Sequence, residues 1–312
     1  MNKNLSFVST VNMPHEEWLE RRKRTIGGSD AAAVVGLNAY VSPYSLWAEK
    51  SGKIPGFAGN LATEVGAYLE EFVAQKFAAE TGKKVRRFNK IIYNPDYPFA
   101  HVNIDRDVVG EDAGLECKTV DSLSMGKFKN GEFPANFYVQ CVHSMAITGA
   151  KRWYLAVLIG NKEFKWFTIE RDEAEISALM TAEADFWKLV ETDTPPAVDG
   201  TEATTEALKT IYAECDDSIC DLTAFSENLR QFMALKKQIK ELEALANEVA
   251  NKVKEFMGGS GIGECPGYKV SWKSQSRTTF DAKRFKQENP DIDLSEFYKT
   301  SDSRVFRVSE IN

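Results

Sequence analysis

Four charged residues at two-residue spacing carry the clearest chemical possibility in this chain: Asp105 and Asp107 in one short segment, Glu116 and Lys118 in the next. Residues two apart on a strand share a face, so each pair projects together while Cys117 points the opposite way. A turn that sets Val109 opposite Gly114 would place Asp107 against Glu116 and Asp105 against Lys118. Clustered carboxylates repel in a low dielectric, and a hard divalent cation resolves the conflict. Magnesium suits such a site, since it takes carboxylate oxygens, waters and a substrate phosphate. The chemistry would be phosphodiester hydrolysis, with a lysine beside the metal to orient or deprotonate the attacking water. An ordinary surface charge ladder would use the same residues, and alternation alone does not choose between Asp105 and Asp107.

Three neighbouring features weigh toward a site. Gly66, Glu70, Val73 and Phe77 recur at helical spacing, which puts Glu70 on an apolar stripe, whereas Glu71 falls with Tyr68 and Gln75. An inward glutamate is uncommon unless paired or metal-bound, so Glu70 is a candidate third carboxylate. Arg22 precedes Ser29 by seven residues, with Gly27-Gly28 between them and a helix expected to start at Ser29 as its N-cap. A guanidinium, a hydroxyl and helix-end amides suit a terminal phosphate. Gln140, on a helical stripe with Phe137, Ser144 and Ile147, can hydrogen-bond a site water or a phosphate.

The elements that must position these groups follow from breakers and periodicity. Helices are expected over 14–24, 31–35, from Ser42-Pro43 to Gly52, 61–80, 134–148, and from Asp172 to about Val190. Strands are expected at 90–93, 100–109, 115–120, 153–159 and 164–169, the second and third forming an antiparallel hairpin. Thr194-Pro195-Pro196 closes this core, 1–196. An acidic connector, 197–222, leads to a long amphipathic helix, 223–257. There Phe232, Leu235, Ile239, Leu242, Ala246, Val249, Val253 and Phe256 form a heptad seam suited to packing on the chain's own domain or to a subunit contact. The remainder, 258–312, reads as a small strand-rich unit including Tyr268 to Trp272 and Val305 to Val308.

The net charge of −7 is unevenly placed. Residues 1–160 hold 19 Lys and Arg against 17 Asp and Glu, so the acidity lies in the second half and a phosphate-binding surface belongs in the first. Arg21-Arg22-Lys23-Arg24 and Lys83-Lys84 with Arg86-Arg87 are its basic clusters. Five cysteines without a C-x-x-C pair argue against a zinc ribbon or a disulfide framework. No run approaches a membrane helix and residues 1–13 lack a signal-peptide core, so a soluble cytoplasmic protein is expected.

Taken in order, Trp18, Arg22, Gly28-Ser29, the run Ser42 to Gly52, Gly66, Leu69-Glu70, Asn103-Ile104-Asp105, Leu115-Glu116-Cys117-Lys118-Thr119 and Gln140 with His143 resemble the YqaJ-like viral recombinase family, relatives of lambda exonuclease. The resemblance spans about residues 14 to 196. It implies an α/β (α+β) restriction-endonuclease-like core of the PD-(D/E)XK type, a mixed sheet flanked by helices. It implies that Asp105, rather than Asp107, binds metal with Glu116, that Lys118 assists the water, that Glu70 supplies the helix-borne carboxylate and that Gln140 lies beside the site. Arg22 and Ser29 match positions that hold a 5′-phosphate. The implied activity is Mg2+-dependent, with Mn2+ able to substitute. It digests duplex DNA from 5′ ends and leaves 3′ overhangs for a single-strand annealing protein. A homo-oligomer such as a trimeric ring and a phage or prophage origin in a bacterial host belong to the same expectation. Phe137 and Val142 depart from the Tyr-x-x-Gln-x-Gln pattern common in relatives. An endonuclease or structure-selective nuclease of the same fold is the alternative. A catalytically silent DNA-binding or assembly module sits poorly with intact Asp105, Glu116 and Lys118.

Overall fold

Asn60 caps a run of good helix formers and Gly82 ends it in the left-handed region at φ 70°, so 21 residues between them form one unbroken helix. In the computed structural model this helix covers one face of a six-stranded sheet and a second, Ala135–Thr148, lies on the other. The structure describes residues 4–216, 218–299 and 304–309. Two compact units divide the chain, Met1–Ala213 and Glu214–Asn312.

The first unit runs β1 (Ser6–Ser9), α1 (His15–Lys23), α2 (Gly28–Val34), α3 (Pro43–Lys50), α4 (Leu61–Thr81), β2 (Val85–Tyr93), β3 (His101–Val108), β4 (Ala113–Val120), α5 (Ala135–Thr148), β5 (Arg152–Ile159), β6 (Glu163–Glu170), α6 (Glu173–Glu191) and α7 (Glu202–Ile211). The strands lie in sequence order. All neighbours are antiparallel except β4 and β5, whose parallel pairing requires the crossover that α5 provides. Val73, Ala74 and Phe77 of α4 pack on Leu115 and Ala156, while Cys141, Val142 and Met145 of α5 pack on the opposite face with Val102, Trp153 and Leu155. On β4, Leu115 therefore faces α4 while Gly114 underlies the Trp153 ring, where an added Cβ would sit 2.3 Å from the indole.

Several expectations change here. The hairpin pairs Arg106 with Leu115 and Asp107 with Gly114, two residues away from the alignment read from the turn. Val109 leaves the strand to donate to Lys84 O, and Gly110 takes φ +87°, so the turn begins earlier. An even displacement preserves the faces but sets Asp105, not Asp107, level with Glu116. Helix α2 starts at Gly28 with Gly27 as its N-cap, so Ser29 lies inside the helix rather than capping it. The segment read as an acidic connector holds α7, whose inward residues Thr204, Ala207, Leu208 and Ile211 recur at helical spacing. Thr204 Oγ1 donates to buried Ser42 Oγ at 2.7 Å, and Ala207, Leu208 and Ile211 pack with Trp47 and Phe186. Strand β1 escaped notice because it is four residues long and mostly exposed.

The second unit contains α8 (Ser226–Met257), a hairpin of β7 (Ile262–Cys265) and β8 (Tyr268–Ser271), and α9 (Ala282–Glu288). It is less strand-rich than its alternation indicated. Residues 304–309 hold no strand, and Phe306 packs edge-on against Phe232 of α8 at 5.6 Å instead of joining a sheet. Among the described residues no helix is long and apolar enough to cross a membrane.

Candidate active site

Where β3 and β4 part, a cavity of about 480 Å³ opens, and it gathers residues that the sequence set far apart. Asp105, Glu116, Lys118, Glu70 and Gln140 line one part of it; Trp18, Arg22, Ser29 and His101 line another. Asp107 lines none of it; its carboxylate lies 2.7 Å from the Arg86 guanidinium.

Asp105 reaches this position through a break in the ladder. Arg106 pairs with Arg87 and Ile104 with Phe88, so Asp105 is an extra residue with no partner on β2. Such a bulge re-aims a side chain. Here Asp105 Oδ2 accepts from Cys117 N at 2.7 Å across the opening between β3 and β4. Glu116, 3% exposed, accepts on one oxygen from both Gln140 Nε2 at 2.6 Å and Lys118 Nζ at 2.7 Å. That leaves Asp105 Oδ1 and Glu116 Oε2 without a hydrogen-bond partner among the described residues. Burial pushes the Asp105 carboxyl well above its ordinary range, and the charges of Glu116 and Glu70 push it the same way. Burial alone would lower the Lys118 pKa, but Glu116 and Asp105 outweigh it, so the ammonium is held protonated. The Phe137 ring lies 5.6 Å beneath that ammonium, so the departure at this position gives Lys118 an aromatic platform. Val142, the other departure, is buried in the core away from the cavity.

Glu70, the candidate third carboxylate, reaches the cavity already paired. It is ion-paired to Arg106, a residue almost fully buried that also binds Glu71 at 3.0 Å. Gly66 lets α4 approach β4, its Cβ position lying 3.4 Å from Thr119 Oγ1, and so brings Glu70 to the rim. Among the described residues no three acidic, imidazole or thiol groups converge as a ready-made metal cage. Two carboxylates, each with one unused oxygen, and one of them, Asp105, raised well above its ordinary pKa by burial and its acidic neighbours, fit a hard cation that keeps most of its waters.

At the basic part, Arg22 donates to Ser29 Oγ at 2.6 Å and stacks over the Trp18 ring at 4.5 Å. The sequence reading missed three residues behind it. Lys50 is buried and donates to Arg22 O, Thr25 O and Asp30 Oδ2, pinning the α1–α2 junction. Burial would raise the Asp30 carboxyl, but Lys50 and Arg22 hold it at about 2. His101, 1% exposed, has Nδ1 2.8 Å from Thr25 Oγ1 and, among the described residues, no partner for Nε2, which lies against Gly27, where an added Cβ would sit 3.0 Å from the ring. Burial and the nearby Arg22 drop its pKa to about 3, so this imidazole is neutral. Behind it, His143 faces Glu183 at 2.8 Å and the His101 carbonyl at 2.9 Å. The carbonyl can only accept, so Nε2 carries a proton. Burial opposes charge on this ring, but Glu183 raises the His143 pKa, and burial raises that of Glu183 in turn, so the two share a proton between Nδ1 and the carboxyl.

A mixed sheet between helices, with an Asp on a bulged strand and Glu-x-Lys on the next, defines the class: a protein of the restriction-endonuclease-like fold. The YqaJ-like viral recombinase domain matches residues 17–151. The uncharacterized protein YqaJ of Bacillus subtilis (strain 168) is 37% identical over 312 residues, 98% of each chain. The chain belongs to the YqaJ-like viral recombinase family. Crystal structures of an alkaline exonuclease, LHK-Exo, from Laribacter hongkongensis share the fold. One has TM-score 0.51 and 22% identity over 57% of this chain and 94% of that chain. The other, in complex with dAMP, has TM-score 0.50 and 23% identity over 64% of this chain and 98% of that chain.

Proposed function

We propose that this protein is a divalent-metal-dependent exonuclease that digests one strand of duplex DNA from its 5′ end, leaving a 3′ overhang for a single-strand annealing partner. The observation that carries the proposal is the placement of Arg22 and Ser29 in the same cavity as Asp105, Glu116 and Lys118. An enzyme that cuts internally has no need of a terminal-phosphate holder beside its acids.

In this reading Asp105 and Glu116, each with an oxygen to spare, would hold the cation, with magnesium preferred and manganese able to substitute because both side chains offer oxygen. The bound ion would lower the pKa of a coordinated water and neutralise charge on the scissile phosphate. Gln140 fixes the rotamer of Glu116, and Lys118 supplies a fixed positive charge at the phosphate that reacts. Arg106 steadies Glu70 at the rim. Arg22 and Ser29 receive the 5′-phosphate, a charge-assisted contact that sets which bond lies over the carboxylates. Self-association, a ring of three in the expectation drawn from the resemblance, would keep such an enzyme on its strand.

The test is digestion of a linear duplex with 5′-phosphate, the same duplex with 5′-hydroxyl and a covalently closed circle, each with and without magnesium. Metal-dependent loss of the phosphorylated linear duplex, slower loss of the hydroxyl form and an intact circle are expected. Cutting of the circle would overturn the reading in favour of an endonuclease.

A further inference from the structure

The heptad seam of α8 lies open. Leu235, Ile239, Leu242, Val249 and Val253 are each 40–65% exposed, and the one buried residue of this 32-residue helix is Met257 at its end. We propose that α8 pairs antiparallel with α8 of a second copy of this chain, in a register centred between Ile239 and Leu242.

Size and charge on the seam choose that arrangement. In the proposed register Ile239 meets Leu242 of the second copy, Leu235 meets Ala246, and Phe232, one side of which packs on Phe306, meets Val249, each layer repeated by symmetry. Over these layers a large residue meets a smaller one or, at the centre, two isomers meet, and layer thickness stays even. A parallel pair in register would instead stack Ala246 on Ala246 and Phe232 on Phe232, one layer too thin and another too thick. In an antiparallel pair, the positions just after each d residue approach one another across the seam, so Lys236 comes beside Glu243 of the second copy, twice. Among the described residues neither finds an ion-pair partner, although Glu227, Lys237, Glu241, Glu248 and Lys252 on the same helix do. Sliding the helices to full overlap would put Phe232 on Phe256 and Glu243 on Glu243, which is bulky and repulsive. A parallel pair brings no opposite charges together at these flanking positions.

The inference does not depend on the nuclease reading, because no α8 residue lines the cavity. The experiment is sedimentation equilibrium of the full chain across the micromolar range, beside metal-dependent nuclease activity on a short duplex. Wild type should associate in even-numbered assemblies, a dimer or two rings of three joined through α8, and a lone ring of three would overturn the pairing. Ile239→Asp should abolish pairing. Lys236→Glu and Glu243→Lys should each weaken it by roughly tenfold or more, and the double variant K236E/E243K should restore it, since both pairs are then opposite again. Helix content by circular dichroism should be retained in all variants, and activity per active site should be unchanged. A wild-type monomer, an assembly indifferent to Ile239→Asp, or a double variant no better than its singles would each overturn the proposal.

Discussion

The two ends of the cavity treat charge in opposite ways. Where β3 and β4 part, Asp105 and Glu116 crowd together with an oxygen each to spare, and burial raises the Asp105 pKa. At the α1–α2 junction, buried Lys50 is already paired with Asp30, whose carboxyl is held at about 2, the imidazole beside them is neutral, and Arg22 stands in front as the surplus positive charge. One end is electrostatically unfinished; the other is complete behind that guanidinium. A protein of net charge −7 can therefore present a phosphate site, because the local arrangement of charge governs rather than the total.

Breaking the unfinished end should have the largest effect. Glu116→Ala or Asp105→Ala should cut the hydrolysis rate by roughly 10²–10⁴-fold while the melting temperature holds, since removing one of two crowded carboxylates relieves repulsion. A variant that melts much earlier would mean the pair serves packing.

The complete end should answer with stability instead. The Asp30 pKa is depressed from an unfolded value near 3.9, so its contribution is full above that pH and is lost as pH falls through about 2. Asp30→Asn should destabilise by about 2 kcal/mol at neutral pH, and the gap from wild type in urea midpoints should close below pH 3. A constant gap would assign the effect to packing.

Arg22→Ala sharpens the contrast further. The ratio of initial rates on 5′-phosphate and 5′-hydroxyl duplexes should fall about tenfold at fixed salt, as expected for one charge-assisted contact used at the transition state. Equal slowing on both ends would reduce Arg22 to general attraction for DNA. The smallest effect belongs to Asp107→Ala. Its carboxylate answers Arg86 outside the cavity, so the rate should change by less than roughly threefold. A loss matching that of Asp105→Ala would return the choice between the two aspartates to where strand alternation leaves it.

The unfinished end was the more legible in sequence. Glu116 and Lys118 obey period two on an intact strand, and Glu70 sits on a helical stripe with Val73 and Phe77. Asp105 was not separable from Asp107 by pattern, because its bulge depends on how β2 pairs. Arg22 and Ser29 could be linked because seven residues and one helix break separate them. His101 and Asp30 could not, since the contacts that define them reach Thr25 across 76 residues and Lys50 across 20. No local signal marks a histidine that is buried against a glycine remote in sequence.

Gly114 beneath Trp153 has a consequence for substitution tolerance. The indole fills the place of any side chain at 114, so this hairpin residue is barred to every other amino acid although it touches no reacting atom. In a saturation scan scored by survival, position 114 would be as intolerant as Glu116. The two would separate once yield of folded protein and turnover per folded molecule were read apart: Glu116 variants would lose turnover, whereas Gly114 variants would lose yield.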